Sequence, residues 1–152
     1  MPGSIVVGVD SSPAGQAALQ WAADEARLRG AHLIAVHAWT YVPPPPIGEP
    51  SMIPMPAGDV AGALEAERDA AQAELESALS EAFPDSPPVE IESRLVEDDP
   101  ADALAAAAVG ADLVVVGSRG RSGIKSALLG SVSRHVVDHA ACPVVVVKAA
   151  RS

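Results

Sequence analysis

Two short segments carry the residues best suited to chemistry. One is Gly8-Val9-Asp10-Ser11-Ser12 and the other is Val116-Gly117-Ser118-Arg119-Gly120; each lies at the end of a short apolar run. Nine residues, Arg121 to Leu129, follow Gly120, and Gly130-Ser131-Val132-Ser133 then opens a helical pattern. Glycine has no Cβ, so Gly117 and Gly120 let the backbone turn tightly and approach a ligand, and Gly130 does the same at the helix entrance. The first N–H groups of a helix have no intrahelical partners, and with the helix dipole they attract anions. Ser131 and Ser133 add hydroxyls, with Ser131 also suited to cap the helix, and Arg119, Arg121 and Lys125 add positive charge. Together these residues describe a phosphate cradle. It is not a Walker A loop, since no Gly-Lys-Ser/Thr follows, and its glycine spacing differs from the dinucleotide-binding fingerprint.

The charge pattern strengthens this expectation. The formal net charge is −10, which repels nucleic acid and anionic lipid at long range, so neither is expected as a partner. Four of the ten basic residues nevertheless fall between Ser118 and Arg134, a window with no acid. A basic island around glycines in an acidic chain suits a small anionic ligand.

Other polar residues are expected to be structural. His135 and His139 stand four apart on a helical pattern, but a metal site needs a third ligand and none is well placed, so no metal site is assigned. His37 lies in an apolar run and is expected as a hydrogen-bonded core residue. Cys142 precedes Pro143 and is expected to be a small hydrophobe, not a reactive thiol. As the lone cysteine it permits no intrachain disulfide. The acids Glu65, Glu67, Asp69, Glu74 and Glu76 read as the solvated face of a helix. No Ser–His–Asp arrangement can be assembled, and no catalytic residue is assigned.

These residues need elements to position them. Apolar residues make up 49% of the 152-residue chain and aromatics only 3%, so Ala, Val and Leu must fill the core of what is expected to be one domain over residues 1–152. Ser4–Val9 reads as a first strand. Ser11 or Ser12 can cap a helix with Pro13 at its first position, Ala14, Ala17, Ala18, Trp21 and Leu28 follow at helical spacing, and Gly30 ends it. Trp21 is expected in the core. His32–Trp39 is a second strand. Thr40 to Gly58, with seven prolines, is a long loop that could cover a ligand or be a neutral insertion. Asp59–Phe83 is a long helix, and Val89–Val96 a half-buried strand with Val89, Ile91, Ser93 and Leu95 on one face. Pro100 begins a third helix capped by Asp98 or Asp99. Leu113–Val116 is a fully apolar strand, Ser131–Ala140 a fourth helix and Val144–Val147 a last strand. This alternation predicts an α/β fold, a doubly wound parallel sheet with helices on both faces. Such sheets bind ligands beyond the carboxyl ends of strands, where strand order reverses.

The spacing Gly117-x2-Gly120-x9-Gly130-Ser131 resembles the Gly-x2-Gly-x9-Gly-Ser/Thr signature of ATP-binding universal stress proteins. The resemblance extends to Val7-Gly8-Val9-Asp10, the Ala-rich first helix, His37-Ala38 and Cys142-Pro143-Val144-Val145-Val146. It implies a Rossmann-like, five-stranded parallel sheet in order 3-2-1-4-5, which sets Asp10 and Gly117 at the switch point. It implies that Asp10 approaches the ribose or a phosphate-held metal, and that Gly8 and Val9 line the adenine end. Ala38 would meet the adenine edge through its backbone, and Val116 would pack on the ring. Gly117, Arg119, Gly120, Gly130, Ser131, Val132 and Ser133 would hold ribose and phosphates. The Pro-rich loop departs most from the family pattern.

The resemblance implies ATP as ligand, with ADP, AMP and cyclic AMP as alternatives and magnesium as companion ion. It also implies a homodimer; an apolar Val144–Val147 strand at a sheet edge invites a second copy. The function expected is nucleotide-dependent regulation or sensing in stress response. The alternatives are a slow ATPase or nucleotide hydrolase and a nucleotide-independent interaction module. No apolar run reaches the ~20 residues of a membrane span, and the N-terminal run contains Gly8 and Asp10, unlike a secretory signal, so a cytoplasmic location is expected.

Overall fold

A computed structural model describes residues 2–43, 57–119 and 129–149. The elements are β1 (Ser4–Gly8), α1 (Pro13–Arg29), β2 (His32–Trp39), α2 (Ala57–Ala82), β3 (Ile91–Glu97), α3 (Pro100–Ala107), β4 (Leu113–Gly117), α4 (Ser131–His139) and β5 (Val144–Val147). All strand pairs are parallel, and the sheet order is β3-β2-β1-β4-β5. The chain crosses from β3, at one edge, to β4 on the other side of β1, so strand order reverses between β1 and β4.

Residues of opposite pleat parity build two cores. Ile5, Val7, Leu33, Ala35, Leu113 and Val115 face α1 and α2, where they meet Ala18, Leu19, Ala22, Ala26, Leu75 and Ala78. Val6, Ile34, Val36, Val114 and Val116 pack in the other cluster with Ala103 and Leu104 of α3, Ala108 at its end and Val136 of α4. An alanine stripe on α1 lets the helix approach the strands closely.

That stripe corrects the expectation for Trp21. The buried face of α1 is Ala14, Gly15, Ala18, Leu19, Ala22, Ala23 and Ala26. Trp21 and Leu28 lie two turns apart on a different flank and are 36% and 73% exposed. Helical spacing found the helix but placed its inward face wrongly, because small alanines, not the largest apolar residues, touch the sheet.

Helix ends follow local chemistry. Ser12 caps α1 by accepting from Gly15 N–H at 3.0 Å, and Gly30 closes it at φ 64°, a conformation that favours glycine. Asp99, one of the two expected caps, starts α3 by accepting from Ala101 and Asp102 N–H at 2.9 and 3.3 Å. The long α2 starts at Ala57, so the last two residues of the expected loop are helical. The rest of the Pro-rich stretch, 44–56, lies outside the described residues. β3 begins at Ile91, after Val89, and most of its residues are exposed, as suits an edge strand. Among the described residues, no helix is long and apolar enough to cross a membrane.

Candidate switch-point site

Beyond the end of β1, its two neighbours run on. Val36 O accepts from Val9 N–H at 2.8 Å, so Val36 turns its backbone polar groups toward β1. Strand alternation turns those of Ala38 the same way. On the other side, Ser118 N–H donates to Val147 O at 2.8 Å, so Ser118 faces β5 and Gly117 faces β1. Ala38 and Gly117 thus present backbone donors and acceptors to the gap that β1 vacates. A planar base or sugar with hydrogen-bonding edges is complementary to such a gap.

Asp10 guards the turn into α1. Its Oδ1 accepts from Ser12 N–H at 2.9 Å and from the Ser12 hydroxyl. The Ser12 hydroxyl is also 3.2 Å from Arg119 O, tying the ends of β1 and β4 together. Arg119 is half-buried. Gly120, Arg121 and Lys125, expected in the cradle, lie outside the described residues.

The start of α4 is the second half of the site. Gly130, not Ser131, is the N-cap, and it has no side chain to satisfy the first N–H groups. Ser131 is the first helical residue. Among the described residues, no acceptor bonds the N–H groups of Ser131, Val132 or Ser133. α1 and α3 begin with side-chain caps instead. The α4 start is tied to the end of β4, with Gly130 N–H donating to Ser118 O at 2.7 Å. Exposed N–H groups at a helix start, without a competing cap, suit a phosphate.

Several expected roles change. Ser133 is 2% exposed, and its hydroxyl lies 3.2 Å from Ser118 O and 3.1 Å from Gly130 O. It braces the loop and is not turned outward as a phosphate donor. Gly117 is glycine for a packing reason: a Cβ there would lie 2.7 Å from the Ala14 carbonyl carbon and 2.9 Å from Gly15 N. At Gly8 a Cβ would lie 2.7 Å from Leu104 Cδ1. Gly130 has φ −71°, open to any residue. Val9 and Val116 are 6% and 3% exposed, and Val116 packs in the α3/α4 core, so it offers little open surface to a ring. Val132 is half-buried against that same core.

The sequence also missed Gly15, where a Cβ would fall on the Asp10 carboxylate. It missed Glu74 as well. This acid, expected on the solvated face, instead lies with Oε2 3.1 Å from His37 Nε2. The His37 Nδ1 is 2.9 Å from Val9 O, so His37 is the hydrogen-bonded residue expected. Beside Ala38 is a hollow of about 280 Å³ lined by His37, Ala38, Trp39, Glu67, Ala71 and Glu74, among others.

His135 and His139 stack with centroids 4.3 Å apart, and His135 Nε2 is 3.5 Å from Asp102 Oδ1. Among the described residues, no group of three or more His, Cys, Asp or Glu could hold a metal ion. Burial pushes the half-buried Cys142 thiol upward, Asp112 adds to this, and a backbone hydrogen bond from Val114 pulls the other way.

The model of the universal stress protein family matches residues 1–148. The chain belongs to that family. A universal stress protein of Mycobacterium tuberculosis is 39% identical over 144 residues, covering 95% of this chain and 45% of the relative. The chain therefore spans about half the length of the curated relatives it matches. Among solved structures, the universal stress protein UspA from Lactobacillus plantarum has a TM-score of 0.71 at 28% identity, covering 95% of this chain and 97% of that one. A universal stress protein in complex with cAMP has a TM-score of 0.59 at 29% identity and 98% coverage of each chain. One from Archaeoglobus fulgidus in complex with dAMP has a TM-score of 0.58 at 30% identity, covering 97% of this chain and 98% of that one. The family's Rossmann-like α/β fold is thus present here, with the 3-2-1-4-5 strand order that the resemblance implied.

Proposed function

We propose that this chain binds an adenine nucleotide, ATP foremost, across the switch point between β1 and β4, and that binding serves a regulatory or sensing role in stress response. The observation that carries this is the start of α4, where among the described residues no acceptor bonds the N–H groups of Ser131, Val132 and Ser133, beside the vacated end of β1. The family supports it, as do structural neighbours whose ligands are cAMP and dAMP. The base would meet the backbone of Ala38, the ribose would lie near Asp10 and Gly117, and the phosphates would lie at the α4 start. Gly8, Val9, Val116 and Val132 would shape the walls, while Arg119 and Gly120 would complete the cradle. Magnesium, if it accompanies the phosphates, would find Asp10 closest. The exchange of nucleotide would be the signal; no positioned base for rapid turnover is assigned.

A second copy of the chain would pair along β5, the apolar outer strand of the sheet. Sedimentation at micromolar concentration should return a dimer, and a strict monomer would remove that element. The decisive test of the function is calorimetric titration with ATP of folded protein shown to be free of nucleotide. Saturable binding that weakens in Asp10→Ala is expected. Absence of binding would refute the proposal and leave an interaction module.

A further inference from the structure

The Asp10 carboxylate is gripped by one oxygen only. Its Oδ1 accepts from Ser12 N–H at 2.9 Å and from the Ser12 hydroxyl, while among the described residues nothing bonds its Oδ2. The hydroxyl that does the gripping is itself fixed. Ser12 is 5% exposed, and its Oγ accepts from the N–H of Gly15, the third residue of α1, at 3.0 Å. A hydroxyl has a single proton to donate. Two oxygens lie within its reach, Asp10 Oδ1 and, at 3.2 Å, Arg119 O. The carboxylate oxygen is the closer of the two and the stronger acceptor.

Two glycines place this carboxylate at the switch point. A Cβ on Gly15 would fall on it, and a Cβ on Gly117 would lie 2.9 Å from Gly15 N. The Asp10 side chain and the end of β4 therefore meet on the same residue of α1, where strand order reverses. With Oδ1 filled by Ser12, one oxygen is left for a ligand. A carboxylate oxygen accepts and does not donate, so it suits an O–H group and repels a phosphate. On a nucleotide, the O–H groups are those of the sugar.

We propose that Ser12 is a positioning residue that makes the site select for a free ribose hydroxyl: it holds Asp10 by Oδ1 so that Oδ2 accepts from the sugar. This rests on the nucleotide-binding function proposed above. Without the Ser12 hydroxyl, Asp10 keeps one backbone N–H as its hold, the carboxylate is free to turn, and the preference for a hydroxylated sugar declines.

The test compares ATP with dideoxy-ATP, which lacks both ribose hydroxyls, by calorimetry on folded, nucleotide-free protein. The native chain should bind ATP about 10- to 100-fold more tightly than dideoxy-ATP, the scale of a hydrogen bond to a charged group. Asp10→Ala should abolish that preference. Ser12→Gly removes the hydroxyl but keeps a residue that begins helices nearly as well, so the fold should hold. In it the preference should shrink about three- to tenfold. A purely structural role for Ser12 would loosen α1 and weaken both nucleotides alike, so an unchanged ratio in Ser12→Gly would overturn the proposal. Equal affinity of the native chain for the two nucleotides would overturn it as well, since a metal held at Oδ2 would be indifferent to the sugar hydroxyls. Failure of the native chain to bind either nucleotide would instead bring down the nucleotide function, and the positioning role with it.

Discussion

Replacing Gly117 by alanine separates a packing role from a ligand-approach role. The new Cβ would lie 2.7 Å from the Ala14 carbonyl carbon, 2.9 Å from its oxygen and 2.9 Å from Gly15 N. Ordinary carbon contacts lie at about 3.5–4.0 Å, so the first turn of α1 must retreat by about an ångström. Those atoms are backbone, and the turn is held by the Ser12 cap and by Pro13, so no rotamer change relieves the clash. Overpacking of this kind costs about 1–3 kcal/mol. At about 2–4 °C per kcal/mol for a chain of this size, the melting temperature should fall by about 2–12 °C. Urea unfolding should agree. ATP binding should weaken too, because the retreat drags Asp10 and Ser12 with it. Gly8→Ala is the control: its Cβ meets the methyl end of the Leu104 side chain and not backbone, and a side-chain adjustment of about 0.5–1.5 kcal/mol should suffice. Gly117→Ala with unchanged stability would refute the packing argument, and lost binding without lost stability would return Gly117 to the ligand.

Three further outcomes are expected. Ser131→Pro removes the first N–H and the hydroxyl of α4 at a position where proline is tolerated, so thermal stability should hold while ATP affinity falls about 10- to 100-fold. Equal affinity by calorimetry would move the phosphates elsewhere. Ser12→Ala removes the cap to Gly15 and the ties to Asp10 and Arg119, and should lose about 1–2 kcal/mol in denaturant unfolding. Cys142, its thiol pushed up by burial and by Asp112, holds less thiolate at neutral pH than a free cysteine. Maleimide should label it more slowly than glutathione near pH 7, with the rate still rising above the ordinary thiol range; labelling as fast as glutathione would contradict this.

Strand and helix alternation, the Pro13 helix start and the Gly30 stop were legible because each depends on neighbours within a turn or two. The start of α4 after Gly130 was legible for the same reason, as a glycine followed by a helical pattern. What escaped depends on contacts across the fold. Gly8, Gly15 and Gly117 are set by Leu104, Asp10 and Ala14, and a linear pattern does not reveal which atoms stand opposite a missing Cβ. His37 and Glu74 come from separate elements, so the acid on a polar helix looked like one more solvated charge. Trp21 escapes the linear pattern because volume is a poor guide to burial on an alanine-lined helix, which buries its smallest residues. Ser133 looked like a donor for the cradle, and its position one turn into α4 turns it inward instead.

The hydrogen bond between Gly130 N–H and Ser118 O brings together the two ends of segment 119–129. The chain leaves the sheet and returns to it at one fixed point, which is fastened a second time by Ser133. The start of α4 is therefore held at the end of β4 by contacts that lie outside the intervening segment. Closing a longer or shorter loop between fixed ends changes the free energy only logarithmically with length. Insertions, deletions or exchanged sequences between Arg119 and Leu129 should thus leave the start of α4 where it is.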